Sequence, residues 1–229
     1  MARLLIAGVL GCTLLAGVAE EARRARDHQD RAALEATATR ARAAAEKQPR
    51  DVRLQHEAAL AAAYLAEVLA EVQEQAAARQ AAEAGLPAAE RAAALDPKSG
   101  EYHRLLGALC GLAVPPRNLP LALQYGRRSL EALDRALALE PGSAAVYVSR
   151  GIGKYYLPAM LGGGADAALQ ELRRAVDLDP KSQEAELWRG LALRKAGRNA
   201  EARRALSRAL ELNPERKWVR QQLEKTPAQ

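Results

Sequence analysis

Three histidines, His28, His56 and His103, and two cysteines, Cys12 and Cys110, are the residues best equipped for metal binding or nucleophilic chemistry. Their spacing supports neither, since the histidines fall on separate helical stretches and no cysteine pair joins them. Cys110 stands among Leu105, Leu106, Leu109 and Leu112, on an apolar helical face, and reads as a small buried hydrophobe. Gly162-Gly163-Gly164 is followed by alanine and aspartate, without the lysine of a phosphate-binding loop, so the run reads as a sharp turn. Adjacent carboxylates such as Glu20-Glu21 are solvated charges. No catalytic residue, metal site or cofactor is expected, and the protein is read as a non-enzyme.

Charge is more informative. Residues 181–229 hold 12 Lys and Arg against 6 Asp and Glu, while the preceding 180 balance at 22 each, so the last segment carries the net charge of +6. A basic end with Arg194, Lys195, Arg198, Arg203, Arg204 and Arg208 can meet an acidic peptide, an anionic membrane or a nucleic acid. Arg203, Arg204 and Arg208, interleaved with glutamates, read as a solvated helix face. No nucleic-acid-binding motif is present, and no nucleic-acid partner is expected.

The elements that position these residues are helical. Hydrophobic residues make up 49%, mostly alanine, aromatics are 3% and phenylalanine is absent, which favours an all-α protein built on many close helix contacts. A recurring stop signal divides the chain: Leu95-Asp96-Pro97, Leu139-Glu140-Pro141, Leu178-Asp179-Pro180 and Leu212-Asn213-Pro214. Proline ends each helix, and Ser99, Ser143 and Ser182, two residues beyond the first three prolines, are placed to cap the next. Gln48-Pro49 is a degenerate form, after which Asp51 caps a long helix through Gln75. A second helix follows through Ala76 to Leu95 and is expected to kink or restart at Pro87. Its boundary with the first stays open between Val72 and Gln80, because alanine fits every position. The intervals between boundary prolines shorten from 48 to 44, 39 and 34 residues.

Before this array, residues 1–19 join a single Arg3 to an apolar run ending in Gly17-Val18-Ala19, which resembles a secretory signal cut after Ala19. Val9-Leu10-Gly11-Cys12 offers the alternative of a lipid on Cys12. Residues 20–50 form an N-terminal helical segment, and 215–229 a capping helix and tail, with Trp218, Val219 and Leu223 on one side.

The last interval, 34 residues, and its small residues Gly190, Ala202 and Ala209 resemble the tetratricopeptide repeat, whose two helices cross closely at such positions. Tyr147, Gly151, Ala168 and Ala175 match in the unit before it, and Leu106, Gly107 and Ala136 in the one before that. The resemblance covers about residues 20–225, with repeats over 51–214. It implies an α-solenoid of antiparallel helix pairs, a superhelix with a C-terminal cap, that binds a protein or peptide in its concave groove. Carried over by position, the groove residues are Arg104 and Ala108; Val148, Ile152, Tyr155 and Tyr156; then Leu187, Leu191, Arg194 and Lys195. An apolar, tyrosine-bearing floor beside a basic end implies a partner with some acidic character. With the signal, this gives an exported scaffold of the periplasm or cell envelope, whose membrane contact is only through residues 1–19 or a lipid. The alternatives are a structural lipoprotein subunit of an envelope complex, or a small-ligand site at the enlarged loop 154–164.

Two departures remain open in the sequence. Arg150 and Arg189 replace a packed leucine, and either reach solvent or pair between helices, Arg150 with Asp166 or Glu171 and Arg189 with Glu201. The loop from Lys154 to Gly164 is either a lip over the groove or filler, with Met160 and Leu161 turned inward if filler.

Overall fold

The computed structural model describes residues 6–228, with side chains from Gly17 onward. Most of the expected signal, including the Cys12 side chain, therefore lies outside the described side chains. Among the described residues no helix is long and apolar enough to cross a membrane.

Eleven α-helices follow one another among the described residues, and there is no strand: α1 (Ile6–Asp27), α2 (Arg31–Lys47), α3 (Val52–Glu71), α4 (Gln75–Leu95), α5 (Gly100–Leu112), α6 (Leu119–Leu139), α7 (Ala144–Tyr156), α8 (Ala165–Leu178), α9 (Gln183–Lys195), α10 (Asn199–Leu212) and α11 (Lys217–Glu224). Each pairs with its neighbours in sequence, giving an all-α solenoid of helix pairs ended by α11. A 3₁₀ turn, Ala159–Leu161, interrupts the link from α7 to α8.

Two kinds of connection generate this order. Between units the chain uses four residues with proline second, as in Asp96 to Ser99, and the fourth N–H returns to the first carbonyl in all five cases, for example Ser182 N to Asp179 O at 3.0 Å. Ser99 and Ser182 then cap α5 and α9 by accepting from Tyr102 N and Ala185 N, and Asp51 caps α3. Ser143 holds the same place but makes no side-chain cap bond, against expectation.

Within units the plain connection is three residues with the middle one left-handed: Gln29 (φ 52°), Gln73 (φ 67°) and Gly197 (φ 76°). The third N–H then reaches back five residues, Asp30 N to Ala25 O, Glu74 N to Leu69 O and Arg198 N to Leu193 O, which closes the helix end. The turn at Gln73 ends α3 at Glu71 and fixes the boundary that the sequence leaves open between Val72 and Gln80. Asp30 likewise divides residues 20–47 into two helices by capping α2. Pro87 neither stops nor restarts α4, which runs through it. Its ring is on the exposed side, while Gly85, Leu86, Ala88 and Ala89 around it are buried, so packing outweighs the lost hydrogen bond.

The helices of each unit cross where side chains leave room. A Cβ on Gly107, Gly151 or Gly190 would stand 2.7, 2.7 or 2.6 Å from the Cγ of Leu133, Leu172 or Leu206. In the α3–α4 pair the glycine moves to the second helix, where a Cβ on Gly85 would meet Ala62 at 2.7 Å. Most buried apolar residues form two clusters, one from Ala22 to Ala113 and one from Val148 to Val219, with Ala132, Leu133, Ala136 and Val146 buried between them.

Candidate functional site

Helices α7, α9 and α11 lie side by side as the first helices of successive units, and their facing residues bring aromatic rings together. Tyr155 meets Tyr156 edge-on at 5.0 Å between ring centres, and both reach Trp188, at 5.7 and 6.0 Å. Trp188 in turn meets Trp218 of α11 at 5.6 Å. Such edge-to-face contacts each add roughly 0.5–1.5 kcal/mol beyond burial. Lys195 Nζ sits 4.3 Å over the Tyr155 ring and donates to the Tyr155 carbonyl, and the Arg216 guanidinium lies 5.7 Å over Trp218. Half of the chain's six tyrosines and two tryptophans thus gather at one place.

Within this ladder Trp188 is buried and Tyr155 half-buried, but Tyr156 is 68% exposed. Surrounding protein still pushes its hydroxyl up to about 12, with Tyr155 and Glu71 adding to the effect of burial. The loop beside it is fixed. Pro158 holds Leu157 extended and ends α7, Gly164 N donates to Lys154 O at 2.9 Å, and Lys154 Nζ donates to Gly162 O at 3.1 Å. Gly162 and Gly164 take the left-handed conformations the turn requires, and a Cβ on Gly163 would collide with the Leu157 carbonyl. This fixed turn presents Met160 (90% exposed) and Leu161 (60%) outward, contrary to the inward packing that filler requires. The loop is a lip.

The other groove residues fall into distinct environments. Val148, Leu187 and Leu191 are buried in the second apolar cluster, so they join helices and offer no surface. Ile152 is half-buried against that cluster, and Ala108 is half-buried on α5. Arg104 holds Glu101 through Nε at 2.6 Å and Nη2 at 2.7 Å, and reaches across to Ser149 Oγ at 3.2 Å. Burial acts to raise the Glu101 carboxyl, but Arg104 and His56 hold it down at about 2. Arg194 donates to Gln222 Oε1 at 2.7 Å, and to Gln222 O and Thr226 Oγ1 at 3.2 Å, pinning the cap.

The basic end is partly spent on the protein itself. Arg203 donates to the carbonyls of Leu223 and Thr226, Arg198 pairs with Glu201 at 2.7 Å and Arg208 with Glu211 at 3.0 Å. These pairs engage part of the basic end, while Lys181, Arg204, Lys217 and Lys225 stay exposed. Arg150 pairs with Glu171 at 3.1 Å and also with Asp134, a partner the sequence does not signal. Arg189 turns back to Glu186 at 2.6 Å instead of reaching Glu201. Trp188 and Trp218 are further site residues that sequence reasoning misses, because positions carried over along single helices do not include them. Their signal lies between helices, where large rings at adjacent turns stack.

Among the described residues no group of histidine, cysteine, aspartate or glutamate is arranged to hold a metal ion. The Cys110 thiol, fully buried, is pushed up to about 11 by that burial, which fits the inert reading.

No curated protein matches the chain. Among solved structures, a thermophilic TPR protein of Thermus thermophilus superposes with a TM-score of 0.63 at 20% identity, over 85% of this chain and 90% of that one. MamA matches with a TM-score of 0.44 at 18% identity, over 81% and 92%. YrrB, described as a TPR protein with an unusual peptide-binding site, matches at 0.42 and 17%, over 83% and 84%. Residues 160–223 match the family model of the tetratricopeptide repeat, and the described chain folds as a TPR-like α-solenoid.

Proposed function

We propose that this protein is a non-enzymatic scaffold that binds another protein or a peptide at the aromatic rim of its last units. The observation that carries this reading is the exposed trio of Tyr156, Met160 and Leu161, held by a fixed turn beside a stacked aromatic base. A partner presenting apolar or aromatic side chains fits such a surface, with Lys195 at its edge. Tyrosine gives large contact area at low entropic cost and recurs in binding hot spots, while methionine adapts its shape to an irregular partner. The repeat match over residues 160–223 takes in Met160, Leu161, Trp188 and Lys195 and supports a role in protein interaction.

The residues 1–19 pattern supports export to a bacterial periplasm or cell envelope, with cleavage after Ala19. A lipid on Cys12 would instead make the chain a tethered subunit of an envelope complex. Mass spectrometry of the mature amino terminus separates the two.

The test of the binding surface is affinity capture from the native envelope with the parent and with Met160→Ser/Leu161→Ser, which leaves the stacked rings in place. Partners that bind the rim are lost from the variant while its melting temperature stays within about 1 °C of the parent, as expected for exposed positions. An unchanged set of captured partners contradicts the assignment.

A further inference from the structure

The five connectors between units end at Asp51, Ser99, Ser143, Ser182 and Arg216. Four of these residues suit the N-cap of a helix; the fifth does not, and α11 has no side-chain cap. Arg216 is instead 1% exposed, and its guanidinium crosses to the opposite end of the array. It pairs with Glu71 at the end of α3, lies with Nε 3.6 Å from Asp27 of α1, and donates to the Arg26 carbonyl at 3.2 Å. Around it Arg26 reaches Glu184 at 2.9 Å, and Asn213 Nδ2 donates to Asp27 Oδ2 at 2.9 Å. Gln221 Nε2 donates to Gln29 Oε1 at 3.0 Å, Gln29 Nε2 donates to Glu71 at 2.9 Å, and His28 stands 3.5 Å from Glu215. Partners 186 to 192 positions apart thus meet, and the superhelix closes on itself.

The contact differs in kind from the rest of the fold. The first apolar cluster, with the side chains packed on it, ends at Tyr125, and the second begins at Tyr147, so neither spans the seam. What spans it is charged and amide groups, which water can solvate once they separate. Parting the seam therefore exposes little apolar surface, whereas separating helices within either half exposes a great deal. On the other side the halves remain joined by the connection from α6 to α7, Glu140 to Ser143, and by the packing of α7 on α5 and α6, where Arg104 donates to Ser149. We propose that Arg216 is a latch that holds the array closed, and that the two halves part at this seam while each stays folded. The latch controls access to the inner face around Tyr64, which lies 4.6 Å under the Arg26 guanidinium. It does not depend on which partner the aromatic rim takes.

Spin labels on Arg24→Cys and Lys217→Cys, both exposed, report the distance across the seam in the full chain carrying Cys12→Ser. Cys110 is fully buried and stays unlabelled. The parent gives one short distance. In Arg216→Gln most molecules shift to a longer distance, with the circular dichroism of the parent retained. A variant that keeps the short distance overturns the proposal, and so does one whose distance lengthens only together with loss of helix. Should Arg216→Gln fail to fold, Glu71→Gln is read by the same criteria. Failure of both to fold shows that the seam is part of the fold and not a latch, which also overturns it.

Discussion

The two halves of the array fill their interiors differently. Thirteen of the twenty buried residues in the first cluster are alanines, against seven of sixteen in the second, where six leucines and Trp188 supply the bulk. An alanine buries little area, and burial contributes about 25 cal/mol per Å², so the first half needs more contacts per unit. It obtains them through length: α3 and α4 run 20 and 21 residues, where α9 and α10 run 13 and 14. One helix-pair plan is thus satisfied either by long helices in close approach or by short ones with large side chains. The proposed binding surface lies on the second half, where aromatic residues and a glycine-fixed turn coincide.

The largest effect that would break this comparison comes from closing a crossing in the short-helix half. Gly190→Leu drives a side chain into Leu206 and the Ala202 carbonyl, 3.2 Å from the ideal Cβ, and is expected to cost about 3 kcal/mol, the upper end for overpacking. A melting curve like the parent's would show that the crossing is not the tight contact described. Opening the same kind of contact is milder in the first half. Leu172→Ala should cost about 2–5 kcal/mol in the second half, whereas Ala61→Gly in α3 should cost about 1 kcal/mol, mostly backbone entropy. Equal costs by denaturant titration would remove the contrast.

A smaller effect depends on pH. Burial raises the Glu67 carboxyl to about 7; Arg26 and Arg216 oppose this, and Glu184 and Glu71 reinforce it. Tyr64 and Arg104 also face it from α3 and α5, and Asp27 stands beside Arg26. A raised carboxyl favours folding while protonated, so this contribution is present below the usual glutamate value of 4.5 and is lost as pH rises through about 7. Glu101, held at about 2, acts oppositely: its contribution is present above 4.5 and lost as pH falls through about 2. Between pH 5 and 8 the parent's melting temperature should therefore decline, and Glu67→Gln should flatten that decline. A steeper decline in the variant would contradict the environment assigned to Glu67.

The smallest expected effect is a gain. Gln73 holds the left-handed position that glycine holds at Gly197, so Gln73→Gly should stabilise the first half by about 1 kcal/mol. No gain in the melting midpoint would mean that the Gln73 side chain supports the turn in some other way.

Much of this architecture can be read from local chemistry. Proline after a leucine-acid or leucine-amide pair marks helix ends, and small residues at a fixed spacing mark crossings, so the helix ends and the crossing of the last unit are legible. The end of α3 is not, because alanine fits either side of a turn and Gln73 carries no glycine signal. Burial of Val148, Leu187 and Leu191 is hidden for another reason. Those side chains are buried within the second apolar cluster, which positions counted along a single helix do not reveal. The ion pairs from Arg216 to Glu71 and Arg26 to Glu184 have no sequence signal at all, since such pairing depends on the curvature of the whole array.

Two separately packed halves are the central claim, and native-state hydrogen exchange of the full chain under low denaturant tests it most directly. The account predicts two groups of amides with distinct opening free energies. The boundary should fall between α6 and α7, and the alanine-rich first half should open at lower denaturant. A single opening free energy shared by the protected amides of α3 and α10 would contradict it.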